Sequence, residues 1–444
     1  LENIRIDVAD KLEAHLGVKL ATGPISDDYN PPPDQKMLSD NPEIQHEIQL
    51  EEQVQELKDA LDRLTDKNPE KTPETRILEH VYFGKSMFQR EDTLKPADEN
   101  TFRWFIKDIS SEDDSDSGSM MPETINREER SQGLYSGKYN AQVASRFEEW
   151  MRSGNGVFHI SGKAGSGKST LMKLVLLTEY THEMLREWAG EKRLLFARFY
   201  FWAGGDRLQS SLEGLHRSIL FEVLMQRPEL VKEVFREAYP VVACSRWDSP
   251  IYSRFFTTAN FQKAFERLVC LPTDPRYRLC LFIDGLDEYS TDVNSGSLPE
   301  TERENLARCL VNWATNDHVK ILASSRLYSE FSETFAEDQR VHLHLLTHDD
   351  MINFGRRLFE THRVFQFPGV KERYKSLVAK VVGASDGVFL WTGLAIQRML
   401  ASLARRDSFK SLEKQLETAP RDLNVLYEKM FLAIDDHERH EAMK

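Results

Sequence analysis

The 444-residue sequence predicts an α/β fold: a parallel sheet flanked by helices, with an N-terminal helical region before it and a C-terminal all-helical domain after it. Three observations carry this prediction. From Tyr139 onward, apolar strand-like runs alternate with helix-spaced stretches, the pattern of parallel strands joined by crossover helices. The first run, Val157 to Ser161, passes through a glycine-rich turn into a stretch with Leu171, Leu174, Val175 and Leu177 at helical spacing. After about residue 348 the apolar spacing is helical to the end of the chain.

The elements follow in order. Residues 1–72 read as a helical N-terminal region, with Val54, Leu57, Leu61 and Leu64 at the spacing of a packed seam and a turn-rich break at Asp27 to Pro33. Residues 73–133 read as a docking segment followed by an acidic linker. Ile77, Leu78, Val81, Tyr82, Phe83, Phe102, Trp104, Phe105 and Ile106 need an apolar partner surface, whereas Asp108 to about Gln132 has nothing to bury. Residues 134–347 form the expected α/β domain, opening with a helix over 139–153. Strands are expected at Val157 to Ser161, Leu194 to Trp202, Arg278 to Asp284, Val319 to Ser324 and Val341 to Leu345, with helices near 211–226, 258–270 and 301–316. A helical domain over 348–421 and the start of a winged-helix or helical segment over 422–444 complete the reading, on the spacing in 371–383, 387–404 and 422–434.

Composition narrows the function classes. No run approaches the roughly 20 apolar residues of a membrane helix. A net charge of −14 argues against nucleic acid, whose binding depends on clustered Lys and Arg. Cys244, Cys270, Cys280 and Cys309 lack paired spacing and are expected as reduced thiols in the cytoplasm, with Cys270 and Cys280 in core-like runs. Leu1 in place of an initiator Met, and a helical-looking segment that breaks off at Lys444, are expected of a piece of a longer chain.

The chemistry concentrates in three places. Gly162-Lys163-Ala164-Gly165-Ser166-Gly167-Lys168-Ser169-Thr170 fits G-x-x-x-x-G-K-[ST] between a strand and a helix, where such a loop wraps a phosphate with backbone N–H groups. Lys168 is expected to reach the β- and γ-phosphates, Ser169 to ligate Mg²⁺, and Thr170 to approach the α-phosphate. Arg278 to Glu288 is an apolar strand that delivers Asp284 at its C-terminal end as a candidate Mg²⁺ partner. Asp287 and Glu288 follow it as candidates to polarise a water, against the alternative that they solvate the turn. Lys320 to Arg326 is a third strand, ending in an Arg that either senses the γ-phosphate or pairs with a surface acid. His342, His344 and His348 alternate on an expected strand, and solvent-facing histidines are the preferred reading over a metal site.

These three elements, with the Asp284-Gly-Leu-Asp-Glu288 form of the second, resemble the NACHT branch of the STAND signalling NTPases, most closely the fungal NLR-like proteins with a nephrocystin 3-like P-loop domain. Phe147 to Gly162, Phe199 to Trp202, Ser211 to Leu215 and Gly387 to Trp391 support the resemblance. It implies an ATP/ADP switch, with GTP not excluded, that binds Mg²⁺, hydrolyses slowly and self-associates on activation. It also implies that effector or adaptor proteins are engaged through the N-terminal region, in non-self recognition or cell death. The chain departs from relatives in two places: Gly285 stands where many related ATPases carry Glu, and Gly387-Val-Phe lacks the Pro of their Gly-x-Pro motif. The alternative function is a nucleotide-binding scaffold that does not hydrolyse. Kinase, transporter and helicase readings lack a Leu-Ser-Gly-Gly-Gln signature or a second core.

Overall fold

The computed structural model describes residues 71–98, 101–106, 127–244, 254–270, 276–290 and 298–420. The expected N-terminal helices before residue 71, the linker residues 107–126 and the segment from residue 421 onward lie outside the described residues. In chain order the elements are α1 (Pro73–Val81), α2 (Ser86–Thr93), α3 (Arg103–Ile106), α4 (Arg127–Arg152), β1 (Gly156–Ser161), α5 (Lys168–Leu177), α6 (Glu179–Ala189) and β2 (Arg193–Tyr200). Then come α7 (Leu212–Gln226), α8 (Val231–Val234), α9 (Ala238–Cys244), α10 (Thr258–Val269), β3 (Tyr277–Asp284), α11 (Pro299–Trp313), β4 (Val319–Ser325), α12 (Ser329–Thr334) and β5 (Arg340–His342). The series closes with α13 (His348–Glu360), α14 (Val370–Ser385), α15 (Phe389–Ala404) and α16 (Phe409–Glu417).

Two compact units divide the chain, and neither is a single stretch of sequence. One draws on Leu1–Thr93 and Phe196–Thr273, the other on Leu94–Leu195 and Asp274–Lys444. In the first, Thr72 caps α1 by accepting from the Thr75 N–H at 3.3 Å, and Pro73 sits in the first turn, where its missing N–H costs nothing. Arg217 of α7 closes the other end of α1. Its guanidinium donates to the carbonyls of His80, Val81 and Tyr82 at 3.0, 2.9 and 3.3 Å and lies 4.8 Å from the Phe261 ring.

The second unit holds the sheet core. The strands run in the order β2-β3-β4-β1-β5, with β2 belonging to this unit only through its first residues, Arg193 to Leu195, and the β1–β4, β1–β5 and β3–β4 pairs are parallel. One strand, β4, therefore stands between the strand that precedes the glycine-rich loop and the strand that ends in Asp284. Strands β3 and β4 are buried along nearly their whole length, as continuous apolar runs in a parallel sheet require. Lys320 is the exception within β4. Fully buried, it donates to the Trp150 and Met151 carbonyls at 2.7 and 2.9 Å, which ends α4, and it lies 4.8 and 4.3 Å from the Trp150 and Trp188 rings. Burial pushes its pKa down to about 7.

The helical run after residue 348 packs on its own core of Val378, Val381, Trp391, Ile396 and Met399, among others. Among the described residues no helix is long and apolar enough to cross a membrane.

Five expectations need correction. The fifth strand stops at His342, because Leu343–Leu345 turns into a 3₁₀ helix. The three histidines therefore do not alternate on one strand: His342 ends β5, His344 lies in that turn and His348 opens α13. They are not uniformly solvent-facing either, since His344 is half-buried with its pKa lowered by burial to about 4. The helix expected at 139 begins at Arg127, inside the stretch read as linker, because the Arg-Glu-Glu-Arg run is charged but strongly helix-forming. Cys270 is exposed: it caps α10 beyond the face that buries Phe261, Phe265 and Leu268, whereas Cys280 is buried in β3 and its thiol is pushed up to about 12.

Candidate functional site

The site gathers at the C-terminal ends of β1, β3 and β4, where an open parallel sheet leaves its crevice. After β1 the chain enters the loop 162–167, and the Gly162 N–H donates to the Ser325 carbonyl at 3.2 Å, tying the loop's first residue to the end of β4. Gly165 and Gly167 take φ of 71° and 92°, conformations that L side chains resist. Gly162 is confined for a different reason: a Cβ there would stand 2.7 Å from the Ser166 hydroxyl. That hydroxyl is buried inside the loop without a hydrogen-bond partner among the described residues.

Lys168, the first residue of α5, folds under the loop. Its ammonium donates to the Gly162 and Lys163 carbonyls at 2.9 and 3.0 Å. Burial lowers its pKa, and the nearby Asp287 and Asp284 carboxylates oppose the shift. Ser169 and Thr170 follow half-buried on the first turn of α5, and Ala164 is exposed at the crest of the loop.

Asp284 ends β3 with 2% of its surface exposed and accepts a hydrogen bond from the Ser324 hydroxyl. The Gly285 N–H donates to the same Ser324 oxygen at 3.2 Å, so one serine of β4 orients both the carboxylate and the turn that follows it. Gly285 is left-handed, with φ of 72°, and starts the short 3₁₀ turn Leu286–Glu288. On that turn Asp287 is nearly buried, accepts a hydrogen bond from the Arg326 backbone N–H at 2.8 Å and forms an ion pair with Arg326 Nε at 3.1 Å. The two residues left with alternative roles in the sequence are thus paired with each other here. Glu288 stands half-buried on the same turn.

Chemically the arrangement suits a polyanion and a divalent cation. Left-handed glycines expose loop N–H groups, the orphaned Ser166 hydroxyl adds a polar group within the loop, Lys168 supplies a positive charge, and Asp284 with Ser169 offers oxygen ligands. Residues 162–170, 284, 287, 288 and 326 all converge on this region, and all belong to one compact unit.

The helical region contributes contacts that the sequence did not disclose. The turn after α14 places Asp386 against Lys163, whose ammonium also donates to the Asp386 carbonyl at 3.2 Å. The Leu390 N–H donates to the Gly165 carbonyl at 3.1 Å. From the other side of the chain, Phe102 lies against Gly167 and Phe389, with the two phenyl centroids 5.5 Å apart. The signals in the sequence were the density of aromatics at 102–106 and the Gly387 to Trp391 stretch; nothing in the sequence pointed to Asp386.

Residues 142–326 match the family model described as nephrocystin 3, N-terminal. The match covers the glycine-rich loop, Asp284 and Arg326 and ends before the helical region. No curated protein matches the chain. Across those residues the chain is therefore similar to a nephrocystin-type N-terminal region, set on a P-loop-like α/β fold.

Proposed function

We propose that the chain is a nucleotide-dependent signalling switch of the NACHT branch of the STAND class, working in the cytoplasm. In this reading the loop 162–170 holds the phosphates of ATP or ADP, and Ser169 with Asp284 holds Mg²⁺. One observation carries it above the others: Gly162–Thr170 closes over Lys168 at the end of β1, and Asp284 stands buried at the end of β3, one strand removed. That spacing suits P-loop NTPases with an additional sheet strand. The bound Mg²⁺ would supply charge neutralisation at the phosphates. The protein's own part is to wrap the phosphates with loop N–H groups, to place Lys168 beside them and to hold Asp284 through Ser324.

Slow turnover follows from the same residues. Gly285 replaces the carboxylate that many relatives place after the metal-binding Asp, and Asp287 is engaged by Arg326. Glu288, on the same turn, is the other carboxylate proposed to polarise a water, and Arg326 is held at Asp287 through its backbone N–H and Nε. The Asp287–Arg326 pairing also favours a second reading, a scaffold that binds nucleotide and does not hydrolyse it. For a switch, ATP and ADP must differ in affinity between two states by a few kcal/mol. That difference would drive self-association and engagement of effector or adaptor proteins in non-self recognition or cell death.

The test is to denature freshly purified protein, with Lys168→Ala alongside, and identify released nucleotide by chromatography. ADP from the parent and none from the folded variant is the expected result. Equal retention by the variant would overturn the assignment of the loop, while multiple-turnover release of phosphate from ATP separates the switch from the scaffold.

A further inference from the structure

Phe102 is strained for a reason. A bulky aromatic residue at φ of 63° is a true backbone outlier, and such outliers persist only where the surroundings over-determine them. Here the determinant is Asp350, on the first turn of α13. Its carboxylate accepts from the Phe102 N–H at 3.2 Å and from the Trp104 indole Nε1–H at 2.7 Å, with 6% of the residue exposed. Phe105 pins the same segment to α4, its ring centroid 4.4 Å from that of Phe147.

The strain places the Phe102 ring, 1% exposed, on the N-cap of the helix that follows the glycine-rich loop. A Cβ on Gly167 would stand 2.8 Å from Phe102 Cζ and 3.6 Å from Phe389 Cδ2. Beside it, the Leu390 N–H donates to the Gly165 carbonyl and Asp386 meets Lys163. The loop is thus held by two distant parts of the chain, the 101–106 segment and the 386–390 turn, which meet each other at Phe102 and Phe389.

We infer that Asp350 and Phe102 are positioning residues for the glycine-rich loop: the carboxylate holds the 101–106 segment so that the phenyl ring keeps the N-cap of α5 in its phosphate-binding shape. This rests on the nucleotide reading above. Its consequence is linkage: whatever pulls the 101–106 segment off α13 loosens the loop, and bound nucleotide in turn holds the segment down.

The experiment uses the full chain loaded with a fluorescent N-methylanthraniloyl derivative of ADP and Mg²⁺, chased with excess ADP. Variants are Asp350→Ala, the size-conserving Asp350→Asn and Phe102→Gly, which accepts the left-handed backbone but lacks the ring. Leu377→Ala, which opens a cavity in the helical core and leaves the Asp350 and Phe102 side chains in place, reports the effect of lost packing. Release faster by about tenfold or more in Asp350→Ala, which loses two hydrogen bonds to a charged group, is expected, with Phe102→Gly also faster and Leu377→Ala unchanged at a similar melting temperature. Release from the Asp350 and Phe102 variants no faster than from Leu377→Ala would overturn this inference alone. A parent that retains no labelled ADP would overturn the nucleotide reading and this inference with it.

Discussion

Residues with unusual surroundings lie at both ends of the sheet. At the far end from the candidate site, Lys320 is enclosed by two tryptophans and two helix-terminal carbonyls, and burial brings its pKa from 10.5 to about 7. The sign follows directly. Between these values the unfolded chain holds a proton that the folded chain does not, so this residue's contribution to stability rises with pH across the window and is lost as pH falls through about 7. Lys320→Met should remove that slope. Melting temperatures of the two proteins, plotted as a difference against pH, should change across the window, and a flat difference would show that Lys320 does not titrate there. At the site itself, Lys168, Asp284 and the glycines were legible as residues because each is dictated by chemistry at fixed spacing. The partners Ser324 and Asp350 were not, because hydrogen bonds to residues 40 and 248 positions away leave no local trace.

At the scale of elements, two glycines in one region make opposite predictions. Gly383 lies inside α14 and an added Cβ meets nothing within 4 Å, so Gly383→Ala should stabilise by about 0.5–1 kcal/mol through helix propensity. Gly387, four residues on, has φ of 80°, and a Cβ there would stand 2.0 Å from the His344 carbonyl oxygen. Gly387→Ala should cost more than about 2 kcal/mol, since left-handed strain adds to a clash with backbone that has no freedom to yield. Chemical denaturation of both variants decides this, and equal effects would refute the close approach of residues 344 and 387. The strands themselves were readable almost to the residue, because buried parallel strands are continuous apolar runs. Where the reading slipped, at Leu343–Leu345 and at Arg127, alternation or charge was taken as the signal while local turn geometry and helix propensity decided the outcome.

For the whole molecule, the proposed switch requires that nucleotide binding be visible as stability. A ligand that binds only the folded state at about 100 times its Kd stabilises by roughly 2.7 kcal/mol. Mg²⁺ with ADP should therefore raise the melting temperature of the parent by several degrees and leave Lys168→Ala unmoved. An equal rise in both would place binding elsewhere than residues 162–170. The contacts of Asp386, Phe389 and Leu390 with the loop add that binding should also protect the amides of the 386–390 turn, which hydrogen exchange would register.

By itself the sequence determined the α/β class, four of the five strands and the glycine-rich loop that follows the first of them. These rest on short-range rules: residue periodicity and backbone permissiveness at glycine. Only the tertiary structure decided that Arg326 pairs with Asp287, that Ser324 orients Asp284, that Asp350 accepts from the Phe102 N–H, and that Phe102 and Asp386 meet the loop from distant parts of the chain. Those contacts join residues 39 to 248 positions apart, and which of many compatible acids, serines or aromatics meets a given partner depends on packing rather than on anything local in the sequence.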